Sequence, residues 1–293
     1  MARSLAHPFR IFSRRPTSLS AATSSYPGAG GHLRGLSNQT TTSTTSAEED
    51  QTTSFSKNHV KLNGFQRGFL AVGSAIASLN NPHRADMIAV LSETTGGPFL
   101  SRLRDQMLHD EGGRRLLKYR PAINTSSIDL AYLDALPLGS FGKEYCEWLR
   151  WCNVSPDTRE PVRFIDSPEL AYVMQRYREC HDFYHVVTGP FPVNISGEIV
   201  VKWIELANMG LPVAGLSAVF GPLRISNSQK RADLLRTYVP WALRMGSSCK
   251  PLICVEWEKY WETPLQQLKA QLNISEPPVD FKAWMDRHRR QTS

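Results

Sequence analysis

The sequence predicts an all-α fold, a single multi-helix domain, on three observations. From about residue 60 the apolar residues recur every third or fourth position, the period of a helix rather than a strand. Helix boundary signals punctuate that pattern, with Ser167-Pro168 before one apolar stripe and Gly189-Pro190 after it. No alternation of strands with helices and no internal repeat competes with this reading.

Taken in order, Phe65, Phe69, Val72, Ile76 and Leu79 mark a first helical stripe, closed by Asn80-Asn81-Pro82. Leu100, Leu103 and Met107 mark another after Gly96-Gly97-Pro98, and Tyr145, Trp148, Leu149 and Cys152 a third. Ser167 reads as an N-cap with proline in the first turn behind it, opening a helix through Leu170, Met174, Tyr177, His181 and His185. Ser196 is placed to cap the next helix, through Val200, Val201, Ile204 and Met209, ended by Gly210 and Pro212. Trp257, Trp261, Leu265, Leu268 and Leu272 predict a late amphipathic helix. Only 161–165 and 251–255 read as short strands.

A chain of 293 residues has enough length to bury a sizeable core, and 41% hydrophobic with 21% charged residues is a globular composition. Five cysteines without a CxxC pair indicate neither a disulfide framework nor a zinc ribbon. An 18-residue uncharged run, 206–223, contains Asn208, Pro212, Pro222 and three glycines. A membrane span takes roughly 20 mostly apolar residues, so this run reads as buried or interfacial. Five of the 34 basic residues lie in 1–36, where there is no acidic residue, leaving a nearly balanced 29 against 27 beyond. The body thus offers little footprint for a phosphate backbone, and nucleic acid is not an expected partner.

The first 36 residues interleave Leu5, Phe9, Ile11 and Phe12 with arginines in a Ser/Thr-rich, acid-free setting. That composition predicts a mitochondrial transit peptide over 1–36, with Arg34-Gly35-Leu36 before Ser37 resembling a matrix-protease site. Residues 37–59 read as a disordered linker, 60–275 as the helical domain and 276–293 as a C-terminal tail.

One constellation carries chemistry: His181-Asp182-Phe183-Tyr184-His185, then Glu198 thirteen residues after His185. Imidazoles at i and i+4 project side by side one turn apart, the spacing by which a helix chelates a metal. Asp182 falls within the same 100° arc, as a further ligand or as a group that orients an imidazole. The turn at 189–192 lets the following helix fold back and deliver Glu198, which sets a metal site between two consecutive helices. Two nitrogens with one or two carboxylate oxygens suit Zn, Mn, Fe or Co better than Ca or Cu(I). A plainer account stays open, in which the histidines are hydrogen-bonded core residues and Asp182 pairs with Arg178 one turn back.

The run from Glu169 to His185, ELAYVMQRYRECHDFYH, resembles the signature helix of the "Coq-four" family of mitochondrial ubiquinone-biosynthesis proteins. Similar to that family too are Gly197-Glu198 through Glu205, Leu211-Pro212, Phe220-Gly221-Pro222, Leu138-Gly139-Ser140 through Tyr145, and Val154-Ser155-Pro156-Asp157-Thr158-Arg159. The resemblance spans roughly residues 60–275. It implies a helical protein with a metal, usually taken as zinc, on His181, Asp182, His185 and Glu198. It also implies peripheral attachment to the matrix side of the inner mitochondrial membrane. The partners implied are the other ubiquinone-biosynthesis enzymes of a multi-subunit complex, a polyprenylated aromatic lipid and the membrane surface, and a homo-oligomer is admitted. The activity implied is oxidative decarboxylation at ring carbon C1 of a polyprenylated 4-hydroxy-5-methoxybenzoate, a carboxy-lyase reaction. Asp182 is the candidate catalytic residue, as ligand or proton shuttle, and spacing does not separate the two. Zinc has no redox chemistry of its own, whereas Fe, Co or Mn takes part directly in oxidation. A non-catalytic alternative is a lipid-binding scaffold whose metal staples two helices.

This chain departs from the family pattern once, with twelve residues between His185 and Glu198 in place of eleven. The extra residue is placed in the 189–192 turn, which keeps both helices in phase. Inside a helix it would swing Glu198 about 100° off the site.

Overall fold

A computed structural model describes residues 59–81 and 84–290. The transit peptide at 1–36 and the linker up to residue 58 therefore lie outside the described residues. Among those described there is no strand, only an isolated bridge between Ser140 and Pro264. The two stretches predicted as strands are irregular backbone at 161–165 and a 3-10 turn, Leu252–Cys254. Each opens on a proline, and neither has a neighbouring strand to pair its backbone.

The first helix, α1 (Gly64–Asn80), starts at a reciprocal capping box between Asn63 and Gln66. It packs on α2 (Ala85–Thr95), while its Phe65, Phe69, Val72 and Ile76 stripe faces solvent. In α3 (Gly97–His109) the stripe Leu100, Leu103 and Met107 is fully buried. The short α4 (Glu111–Tyr119) and α5 (Leu130–Ala135) are capped by Asp110 and Asp129. Helix α6 (Phe141–Cys152) ends where Asn153 turns left-handed.

The two helices of the constellation follow the sequence signals closely. Ser167 accepts from Leu170 N–H to start α7 (Pro168–Thr188), and Gly189, at φ +150°, ends it. Helix α8 (Ile195–Met209) is capped by Asn194 rather than Ser196. Asn194 carries the better-placed carbonyl, taking the Gly197 N–H at 3.0 Å, while Ser196 is already inside the helix. Gly210, at φ +67°, closes α8. The uncharged run 206–223 is split between the end of α8 and α9 (Pro212–Phe220). Among the described residues no helix is long and apolar enough to cross a membrane.

Helix α10 (Ser228–Ser248) escaped the sequence reading because Pro240 and interspersed arginines blur its period. It crosses α8 so closely that a Cβ on Gly246 would meet the Ile204 carbonyl oxygen at 2.7 Å. The late helix predicted from Trp257 is shorter: α11 is Leu265–Leu272, with a 3-10 turn at Trp257–Lys259 ahead of it. Pro264 explains the break, since the residue before a proline is driven out of helical backbone. The segment 276–293, predicted as a tail, instead contains α12 (Phe281–Arg290), whose Phe281 and Trp284 are buried against Tyr238 of α10.

At the centre lies α7, buried on nearly every side although it is rich in charge. Arg176, Arg178, Glu179, His181, Asp182 and His185 are none of them more than 9% exposed. Each must be met by partners, because an uncompensated buried charge costs several kcal/mol, about 3–5 when one member of a pair is removed. Arg176 donates to both carboxylate oxygens of Glu258 and to the Val255 carbonyl. Arg178 does not pair with Asp182; it donates to Glu93 and the Ala89 carbonyl at 2.7 Å and to Ser92 at 2.8 Å. The other Glu93 oxygen accepts the backbone N–H groups of Arg163 and Phe164, which pins the irregular 161–165 stretch to α2.

Two substitutions separate core from surface aromatics. Trp284→Ala is expected to cost about 3–5 kcal/mol, and Phe69→Ser on the outer face of α1 no more than about 0.5 kcal/mol, in urea denaturation.

Candidate metal centre

His181 and His185 stand one turn apart on α7, and both turn their Nε2 atoms toward Glu198 at the start of α8. His181 Nε2 lies 3.1 Å from His185 Nε2 and 3.3 Å from Glu198 Oε2, and His185 Nε2 lies 3.4 Å from Glu198 Oε1. Neighbouring donors around a tetrahedral cation with bonds of about 2.0–2.1 Å are about 3.3 Å apart, so the triangle has the dimensions of a metal site. Among the described residues this trio is the cluster of histidine and carboxylate ligands that could hold an ion.

The other ring nitrogens are committed elsewhere. His185 Nδ1 donates to the Phe191 carbonyl at 3.0 Å, and that oxygen also accepts Trp148 Nε1–H at 2.8 Å. His181 Nδ1 faces Glu205 Oε1 at 2.6 Å. With protons on both Nδ1 atoms, two Nε2 lone pairs and a carboxylate converge at 3.1–3.4 Å, a repulsive set that a cation resolves. The chemistry of the donor set therefore fits a divalent transition metal with three protein ligands and open positions.

Glu205 is the functional residue that sequence reasoning missed. It is fully buried and accepts Tyr177 O–H and Lys202 N–H, each at 2.7 Å, besides facing His181. A carboxylate behind a ligating histidine fixes its tautomer and makes it a stronger donor. The available signal was its position, two helical turns beyond Glu198 and thus on the same face of α8.

Glu198 meets the two histidines across a short turn: α7 stops at Thr188 and α8 starts at Ile195, so residues 189–194 lie outside both helices. Gly197 makes the approach possible: a Cβ there would lie 2.2 Å from the Pro192 carbonyl oxygen. Asp182 does not join the trio. Its carboxylate is buried in an ion pair with Arg159, whose Nη2 donates to Oδ1. The α7 backbone carries Asp182 some 100° round from His181, enough to aim it at a different neighbour.

His181, Glu198 and Arg159 line a cavity of about 500 Å³. Its apolar wall comes from Ala75 of α1 and from Val213, Leu216 and Phe220 of α9, the last three within the uncharged run 206–223. Leu216 and Phe220 remain more than a third exposed, so the mouth itself is apolar.

The charges in the site hold one another in place. Burial pushes the Glu198 carboxyl up, but the charge that the two imidazoles carry when protonated in the metal-free protein outweighs that and holds it well below the usual carboxylate range. Burial and the Lys202 ammonium push His181 down, yet Glu205 and Glu198 together leave it raised. Burial likewise opposes ionisation of Glu205, while Lys202 and His181 draw its pKa to about 2. A carboxyl depressed in this way stabilises the fold above its unfolded pKa and loses that contribution as pH falls through its folded one.

Two outcomes follow for Glu205→Gln. In metal-free protein, stability measured by urea titration should fall less steeply than in the wild type between about pH 4.5 and pH 2, by on the order of a few kcal/mol over that window. Zinc affinity, measured by chelator competition at neutral pH, should weaken about 10- to 100-fold.

Residues 56–278 match the family model described as "Coenzyme Q (ubiquinone) biosynthesis protein Coq4". The chain is 53% identical over 220 residues to the mitochondrial ubiquinone biosynthesis protein COQ4 of Coprinopsis cinerea, covering 75% of each chain. It is 46% identical over 232 residues to the mitochondrial COQ4 homolog of Aedes aegypti, covering 79% of this chain and 84% of that one. A solved structure from Nostoc punctiforme shares the fold, with a TM-score of 0.57 at 21% identity, over 70% of this chain and 97% of its own. The family read from the helix motifs and the match over three quarters of the sequence agree: this chain belongs to the Coq4 family of coenzyme Q (ubiquinone) biosynthesis proteins.

Proposed function

We propose that the chain is a metal-dependent decarboxylase of ubiquinone biosynthesis, acting oxidatively at ring carbon C1 of a polyprenylated 4-hydroxy-5-methoxybenzoate. The observation that carries this reading is the trio His181, His185 and Glu198, of which His181 and Glu198 line an otherwise largely apolar cavity with an apolar mouth. A divalent transition metal held there, zinc or else Fe, Co or Mn, supplies Lewis-acid polarisation of the ring's carboxylate or phenolate oxygen as CO₂ leaves. The C1–carboxylate bond breaks to release CO₂, a C1–O bond forms to an oxygen from water, and dioxygen takes up the two electrons and two protons as hydrogen peroxide.

The chain's own residues do the rest. Glu205 and the Phe191 carbonyl keep the Nε2 lone pairs of His181 and His185 aimed at the point they share with Glu198. Lys202 offsets the Glu205 charge, so the centre keeps a net attraction for an anionic ring. The walls of α1 and α9 exclude water and accept the start of a polyprenyl tail. Exposed Phe65, Phe69, Val72 and Ile76 on α1 support a peripheral place on the matrix side of the inner mitochondrial membrane, with the other ubiquinone-biosynthesis enzymes as partners.

The test is turnover of a short-tailed C1-carboxylated ring in air and under nitrogen, with metal content assayed in the same sample. One equivalent of metal, with CO₂ and the C1-hydroxylated ring formed only in air, is the expected result. His185→Ala should lower turnover at least about 100-fold in protein that stays folded. Bound metal without turnover, with membranes and partner enzymes supplied, would replace this reading by the scaffold.

A further inference from the structure

Three arginines come to the centre of this fold, and they are not equally satisfied. Arg178 has acceptors in Glu93, Ala89, Ser92 and Glu160. Arg176 is wholly buried and spends three hydrogen bonds on Glu258 and Val255. Arg159 is different. It makes one hydrogen bond, from Nη2 to Asp182, and its buried Nε has no partner among the described residues. Arg176 also has an Nε without a partner among the described residues, but it is wholly buried and does not line this cavity, whereas Arg159 is 29% exposed and lines it beside His181 and Glu198.

A guanidinium presents five N–H donors in a rigid fork that matches both oxygens of a carboxylate. Holding such a group half-satisfied at a largely apolar cavity is costly unless a ligand completes it. Asp182 does not do so, since it accepts from Nη2 alone. Among the other cations of the lining, Lys202 already belongs to Glu205 and Arg178 to Glu93, while Arg224 ends the turn that follows α9 on the apolar wall. From these contacts we infer that Arg159 recognises the carboxylate of an aromatic acid bound in the cavity, with Asp182 as the residue that positions it. This assignment rests on the proposed function for its substrate class and adds the group that tells acid from decarboxylated product. It also gives Asp182 a role that needs no bond to metal.

The experiment is equilibrium binding to the full chain under nitrogen, so that no oxidation occurs, followed by quenching of tryptophan fluorescence. The probes are short-prenyl 4-hydroxy-5-methoxybenzoate and the same ring with hydroxyl in place of the C1 carboxylate. Wild type should bind the acid about 10- to 100-fold more tightly than the hydroxylated ring. Arg159→Gln should abolish that preference while leaving binding of the hydroxylated ring within about threefold, and Arg159→Lys, which keeps charge without the fork, should fall between. The double variant Arg159→Gln, Asp182→Asn leaves no buried carboxylate orphaned, and it should reproduce the loss even if the single variant folds poorly. An acid preference that survives in Arg159→Gln, or its absence from wild type, overturns the inference whether or not the protein turns over. An Arg159-dependent preference in wild type that yields no CO₂ in air sustains the inference and removes the decarboxylase reading instead.

Discussion

Helix α7 brings six arginine, histidine and carboxylate side chains into the protein interior, and the need to satisfy them organises much of the fold around it. Buried charge is tolerated only in company, so each of these residues draws a different part of the chain inward. Arg178 fastens α2 and, through Glu93, the irregular 161–165 stretch. Arg176 fastens the turn that carries Glu258. His181 and His185 fasten α8 and the 189–194 loop through Glu205 and the Phe191 carbonyl. An ordinary core helix would bury leucines and could be repacked; this one constrains its neighbours by specific partners.

The same constraint yields the site. Once both Nδ1 atoms are committed to acceptors behind them, both Nε2 lone pairs are left pointing forward, beside a carboxylate and with no donor to meet them. The apolar wall opposite comes from α1, α2 and α9, elements that pack on one another and leave a void toward α7 rather than filling it. Polar floor and apolar wall together suit a molecule that is ionic at one end and hydrocarbon at the other. Family membership places the chain in ubiquinone biosynthesis, whose product is a polar ring on a hydrocarbon tail.

Most of the helical framework was legible from periodicity and boundary residues, because Ser167-Pro168, Gly189 and Gly210 act through local backbone preferences that survive any tertiary context. Where local signals competed, the reading slipped. Pro240 hid α10, Pro264 shortened the late helix, and a short charged segment at the end proved to bury Phe281 and Trp284. Aromatic residues spaced by three in a polar stretch gave too little period to distinguish a docked helix from a tail.

The site divides along the same line. His181, His185 and Glu198 were identifiable from sequence, because i, i+4 spacing on one helix and a short turn to the next determine their proximity almost by themselves. Glu205 and Arg159 were not singled out for the site, since one lies two turns along another helix and the other 22 residues upstream in a loop. Asp182 shows the limit most clearly. Its sequence position offers it equally to a metal, to Arg178 or to an imidazole, and the docking of the Arg159 loop against α7 selects a fourth partner. The sequence by itself determined most of the helices and the proximity of His181, His185 and Glu198, both products of local geometry, and its motifs carried the family. Which buried charge meets which partner was decided only by tertiary packing, because a buried ion pair depends on distances between elements that no spacing along the chain specifies.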